Sequence, residues 1–473
     1  MPKQAAALRP PRPGGAPHPQ PPGRAAAGPD AAGPARAHTP ARPSAPAPVT
    51  VAARPRPGRL GPLRLPQVVL VELAAALVLI GLAGDRIALA VCGVAAAVLV
   101  VVAVVRLRGL SLAEQVRVRA AFRERRQRSA ANPPDPQADP ALTPVLECEP
   151  ALRTVQHTLD TDGGHASARG ERREIGMVGD GTFLTAVLQV EARDTPLRPA
   201  RALGLLPLDL LGAGLRVDDI VLDAIQVVQY TQPAPAPHLP EQSLAARGYR
   251  ELPAGASTPG LRLTWVTVRL DPELCRSAVA ARGGGEQGAR KALQRAADQL
   301  AGRLDGAGLR ATVLDAAGAV AAVATATCAN PLATGGTGRP GRRTAETVRA
   351  WRCDDRWHTT YWISQWPRLT PDAGPAAAGG RGSSGPVAAP DLIGLLTGTT
   401  ALGSTFSLTL RQAMGGAVAL TGHVRVTARG QDELEQSARQ LETRARSAGA
   451  ALVRLDREQV PGLLATLPLG GTR

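Results

Sequence analysis

Apolar positions change period along this 473-residue chain, and the changes mark its parts. Residues 1–64 have scarcely a large apolar side chain, as in "PRPGGAPHPQPPGRAAAGPD". Such a segment buries too little surface to offset chain entropy, so a disordered Pro/Ala/Arg-rich tail is expected there, without the short apolar core of a signal peptide. Over 65–106 the pattern turns apolar all round. "LPQVVLVELAAALVLIGLAG" predicts a helix at about 67–84 and "IALAVCGVAAAVLVVVAVV" another at about 87–105, separated by Gly84, Asp85 and Arg86. Ile87 to Val105 is 19 uncharged residues, enough to cross roughly 30 Å of hydrocarbon at about 1.5 Å per residue. The pair therefore reads as a transmembrane hairpin. Glu72 is its intramembrane polar residue, expected to face another helix or to snorkel, and the small residues of "AVCGVAAAVL" would let a partner helix pack closely.

After a basic helix and linker at 107–144, the pattern alternates between strand-like and helix-like stretches. "GTFLTAVLQVEA", "GLRLTWVTVRLDP" and "LRATVLD" read as strands, and "GEQGARKALQRAADQLAGRLDGAG" as a helix with glycine at both ends. This predicts a mixed α/β domain, a sheet flanked by helices, in two parts at 145–369 and 391–473, around a flexible insertion at 370–390. "QLAGRLDGAGLRATVLD" (Gln299 to Asp315) aligns without gaps to "QLETRARSAGAALVRLD" (Gln440 to Asp456), with seven of seventeen positions identical. Each reads as an amphipathic helix ending at glycine and a short strand ending in Asp, which raises the question of an internal duplication.

Charge changes the picture at one end only. Of the net +16, +14 belongs to Met1 to Arg128, where 19 Lys or Arg face five acids; the remainder has 36 basic and 34 acidic residues. The larger part of the chain thus has no electrostatic footprint for nucleic acid. Ten basic residues precede the first helix, and Arg106, Arg108, Arg117, Arg119, Arg123, Arg125, Arg126 and Arg128 follow the second. Positive flanks on both sides place both termini in the cytoplasm and the hairpin in the inner membrane, with the eight arginines against anionic lipid. Five scattered cysteines, 92, 148, 275, 328 and 353, show neither an even framework nor metal spacing and read as reduced thiols.

Catalytic signals are sparse. The glycines of "AARGGGEQGARKAL" lack the Lys-Ser/Thr of a phosphate loop, there is no HExxH and no GxSxG, and no cofactor site is expected. Asp218-Asp219 and Asp354-Asp355 are acidic pairs of a kind that are mostly solvated in turns. The densest chemistry is "RAWRCDDRWHTTYWISQWP", which holds Trp351, Trp357, Tyr361, Trp362 and Trp366 out of only 11 aromatics in the chain, with Asp354, Asp355 and His358 beside them. Period two puts Asp355, Trp357, Thr359, Tyr361 and Ile363 on one face, and Arg356, His358, Thr360, Trp362, Ser364 and Trp366 on the other. Both faces are rich in rings or β-branched residues, as in a strand covered on both sides. The aromatics thus read as core or interface, and two alternatives stand: a membrane-tethered metal-dependent transferase or hydrolase built on Asp354, Asp355 and His358, or an anionic-lipid-binding regulator resting on Arg117 to Arg128.

The Arg-flanked hairpin, "VGDGTFLTAVLQV", "LPLDLLGAGLRVDDIVLDAIQVV", "TWVTVRLDPELCRSAVAARGGGEQGARKAL" and "WHTTYWISQWP", in that order over roughly 65–470, resemble the EccE family of the actinobacterial type VII (ESX) secretion system. The resemblance implies a non-enzymatic subunit with two membrane helices, at the periphery of an inner-membrane complex with EccB, EccD and the ATPase EccC. It carries over no catalytic residue and no cofactor.

Overall fold

The computed structural model describes residues 63–104, 106–107, 110–131, 138–158, 174–192, 206–235, 260–335, 341–367, 387–399, 401–413 and 416–471, with short pieces at 51–53, 59–60, 242–244, 247–248 and 369–370. All of these belong to one unit, Pro48–Arg473. Most of the tail expected over 1–64 and of the insertion expected over 370–390 lies outside the described residues, although Val51–Ala53 is placed as a strand alongside Val418–Leu420.

At the amino-terminal side, α1 (Leu65–Ala83) and α2 (Arg86–Val104) pack on each other across a turn. Asp85 Oδ1 accepts the Ala88 N–H at 2.9 Å, and Gly81 lies against Cys92 and Leu89, where a Cβ would clash. Val69, Leu73, Leu79, Ile80, Ile87 and Val94 are exposed on the pair, and so is Glu72. The expected fold class and localisation need correction here. No helix among the described residues is long and apolar enough to cross a membrane, so the transmembrane hairpin and the two-helix inner-membrane placement are not upheld. Then α3 (Leu112–Ala131) carries the basic run, and α4 (Thr143–Leu146) leads into the sheet.

The sheet is built twice over. The first pass runs β1 (Arg153–Thr158), β2 (Glu174–Gly179), β3 (Leu184–Ala192), α5 (Leu208–Gly214), β4 (Ala224–Gln232), β5 (Leu261–Leu270), α6 (Arg276–Ala281), α7 (Gly285–Gly306), β6 (Leu309–Val313) and α8 (Ala316–Thr327). The second runs β7 (Thr344–Glu346), β8 (Trp351–Cys353), β9 (Arg356–Gln365), α9 (Ala389–Thr397), β10 (Gly403–Gln412), β11 (Val418–Ala428), α10 (Gln431–Ser447), β12 (Ala451–Arg454) and α11 (Gln459–Ala465). In space the strand order is β7-β8-β9-β11-β10-β4-β5-β3-β2-β1, with β6 added to β3 and β12 to β9. Reading outward from the central β4–β10 pair gives the same sequence of strands in both directions. The pairings of these twelve strands are antiparallel, including β4 with β10 (Val228 opposite Ser407), so the halves are related by a pseudo-two-fold between those two strands. The 17-residue repeat maps onto α7–β6 and α10–β12, and the duplication extends over the whole of both units.

Helices cover both faces. On one, α7 turns Ala289, Ala292, Leu293, Ala296, Leu300 and Leu304 inward at spacings of three and four, and α10 does the same with Leu434, Ala438, Leu441 and Ala445. The abundant alanines let these helix axes lie close to the strands. On the other face, α4, α8 and α11 close a second core with Val178, Val187, Trp265, Trp351 and Leu463. Strands between two such layers are buried on both faces, as β5 is from Trp265 to Leu270.

Each half is fastened to the other by a buried arginine. Arg269 on β5 stands opposite Ala224 and Thr185; Arg425 on β11 stands opposite Thr405 and Thr360. Arg425 donates to the carbonyl oxygens of Ala326 and Thr327, which close α8 of the first half. Arg269 Nη1 donates to Gly471 O at 2.5 Å, beyond α11 of the second half, while its Nε lies 3.1 Å from Asp223 and its guanidinium lies over the Phe183 ring. A cation at carbonyls that end a helix also faces the negative end of the helix dipole.

Candidate functional site

The aromatic stretch forms β8, a turn and β9. Asp354 takes φ 54 in that turn, and its carboxylate is gripped by Arg343, Nε at 3.1 Å and Nη2 at 2.9 Å. Asp355 is exposed, accepting from Asn330 Nδ2 at 3.0 Å, with Arg356 Nε 3.5 Å away. His358 is buried: its ring centroid is 4.7 Å from that of Trp351, and its Nδ1 is 2.8 Å from Thr427 Oγ1. Burial, then the positive charges of Arg425 and Arg356, holds its pKa well below the usual histidine range, so it is neutral at pH 7. The three side chains singled out for metal chemistry thus point to three different environments. Among the described residues there is no group of three His, Cys, Asp or Glu able to hold a metal ion. The other acidic pair is similarly engaged: Asp219 is bidentate with Arg282 at 2.7 and 2.8 Å, and Asp218 pairs with Arg295 at 3.2 Å.

Of the aromatics, Trp351 and Tyr361 are each 1% exposed and lie in opposite cores. Tyr361 Oη donates to Glu442 Oε1 at 2.8 Å across the layer to α10. Trp357 packs by Ala350, Ala428 and Leu434, and half-buried Trp362 sits opposite His423 and Val453. Trp366 departs from the period-two expectation. A register shift between Ile363 and Gln365 in the pairing with β12 carries it to the face of Tyr361 and Ile363, where it lies over Gly422.

The basic segment also divides. Arg117, Arg119, Arg123, Arg126 and Arg128 are exposed on α3, while the Arg106 side chain and Arg108 lie outside the described residues. Arg125 is spent on the domain: it bonds Glu346 through Nε at 3.1 Å and Nη2 at 3.2 Å, and the Arg457 carbonyl at 2.5 Å. Glu346 Oε1 also accepts the Val460 N–H at 3.0 Å, so one carboxylate ties α3, β7 and α11 together. Beside it, Glu147 accepts from the N–H groups of Arg343 and Thr344 and from Thr344 Oγ1, all within 2.9 Å. Burial, then the charge of Glu147, pushes the neighbouring Cys148 thiol up to about 12. Burial also raises Cys353, so both thiols stay protonated at neutral pH and neither is a ready nucleophile.

Sequence reading missed Arg269, Arg425 and the Glu147–Glu346 pair. The signal available for Arg425 is "HVRVT", where alternation puts an arginine at an inward position between His423 and Thr427.

Residues 258–363, from the start of β5 to Ile363 in β9, match the family model described as "Putative type VII ESX secretion system translocon, EccE". This stretch is similar to EccE sequence. No curated protein matches the chain. The EccE match covers the last part of the first half and the opening meander of the second, and so includes most of the aromatic strand but neither strand of the central β4–β10 pair. The likeness is thus to a component of the type VII secretion system, over that stretch of the chain.

Proposed function

We propose that this secretion-system component is a non-enzymatic structural subunit, its duplicated sheet acting as a stiff platform beside subunits resembling EccB, EccC and EccD. One observation carries the reading. Two of the three groups that could do chemistry in the matched stretch are committed to holding the fold, Asp354 to Arg343 and His358 to Thr427 inside the core, while exposed Asp355 bonds Asn330. The test is gentle extraction of the tagged chain from its native cell, native-size separation, and mass spectrometry of what accompanies it, for the parent and for Asp354→Asn with Asp355→Asn. A large particle containing the secretion ATPase, with export retained once folding of the variant is verified, is the expected result. A lone chain, or a folded and assembled variant that has lost export, overturns the proposal.

A further inference from the structure

Between α3, α4 and the α8/α11 face lies a cleft of about 770 Å³, within the range of small-molecule sites. Its floor is apolar and comes from both halves of the molecule: Val178 and Val323 from the first, Trp351, Val460 and Leu469 from the second, each at most 8% exposed. Its walls are charged. Two of the lining carboxylates are already satisfied, Glu147 by β7 and Glu346 by Arg125 and Val460 N–H. A third, Glu149, is pushed toward its neutral form by burial and by Asp180. Two of the lining guanidiniums have no carboxylate partner among the described residues. Arg126 lies 5.8 Å over the Phe122 ring, and Arg153 donates only to the Pro150 and Leu152 carbonyls, at 2.5 and 2.8 Å.

An apolar floor with uncommitted arginines at its walls complements one kind of molecule. We propose that the cleft binds an amphiphile with an apolar chain and a single anionic head, the chain on the Val178–Val323–Trp351 floor and the head at Arg126 and Arg153. The inference rests on the cavity and its charges alone and stands whether or not the chain is a scaffold.

The full chain is titrated with dodecanoate below its micelle concentration and followed by calorimetry, with dodecanol as the neutral control and butyrate as the head alone. Saturable 1:1 binding of dodecanoate is expected, at least tenfold tighter than either control. Reversing both guanidiniums, Arg126→Glu with Arg153→Glu, should weaken it at least tenfold, and Val323→Trp, which fills the floor, should abolish it. Because Val323 is in the core, Leu142→Trp at a half-buried lining position is the second blocking variant, each checked for native circular dichroism. Equal affinity for dodecanol, or binding that survives a folded blocking variant because it occurs on the exposed apolar surface of α1 and α2, overturns the proposal. So does the absence of saturable binding.

Discussion

His423 is a neutral ring packed where a charge would be costly. It is 9% exposed on β11, opposite Ser407 and Trp362, and burial alone brings its pKa down to about 4. A folded-state value below the unfolded one means that the folded protein binds this proton less readily. The contribution is therefore complete above pH 6.5 and is lost as pH falls toward 4, amounting to about 3 kcal/mol at roughly 1.4 kcal/mol per unit. His423→Leu removes the titrating group and should flatten that part of the profile. Urea unfolding at pH 7.5, 6, 5 and 4 checks it: parallel curves for parent and variant would show that the ring is solvated. His358 is displaced in the same direction and should add to the loss. At this scale the sequence was legible as far as identity and strand register go. "WHTTYWISQWP" reads as a strand filled on both sides, and in β9 Tyr361 lies in one core while His358 lies against Trp351 of the other. It could not show that His358 would meet Thr427, because that contact spans 69 positions and depends on the β9–β11 register.

Between elements, the fit of β9 on β11 turns on one glycine. A Cβ at Gly422 would stand 2.5 Å from Trp366 Cζ2 and 2.9 Å from Ile363 Cδ1, closer than any relaxed packing allows. Gly422→Ala must therefore push the Trp366 ring outward and should cost about 1–3 kcal/mol, the usual range for overpacking. The measurement is the denaturant midpoint with tryptophan emission; an unchanged midpoint without a red shift would mean that the ring has room to move. Alternation had put Trp366 on the other face, and the register shift at Ile363/Gln365 reversed it, an irregularity with no signature in "WISQWP". Hydrophobic runs did locate α1 and α2 and the turn between them. The membrane crossing read from the same runs is not upheld, since no helix among the described residues is long and apolar enough for it. The 17-residue repeat gave one helix–strand unit in each half, since glycine and aspartate mark its ends. The β-meanders and hairpins around it share their strand order in the two halves without a repeat legible in the sequence.

For the molecule as a whole, that duplication is not two domains side by side. The central β4–β10 pair joins the halves, and the fastenings cross it. Arg425 of the second half holds the end of α8, and Arg269 of the first holds Gly471. Gln226 on β4 adds a third crossing: its amide donates to Ala465 O and Ser407 Oγ at 2.8 Å, and its Oε1 accepts from the N–H groups of Gly470 and Gly471. Every one of these groups is buried, so separating the halves would leave arginines and an amide without partners in an apolar setting, at about 1–3 kcal/mol for each neutral group and more for each charge. Neither half should then be stable alone. Splitting the chain between Gly335 and Gly341 tests this directly. Coexpressed, the two pieces should copurify as one folded particle with a single cooperative melt. Expressed separately, each should be unfolded by circular dichroism or recovered only as aggregate, and Arg425→Ala in the second piece should weaken their association. A first piece that melts cooperatively by itself would show that the crossings are ornament on two independent domains.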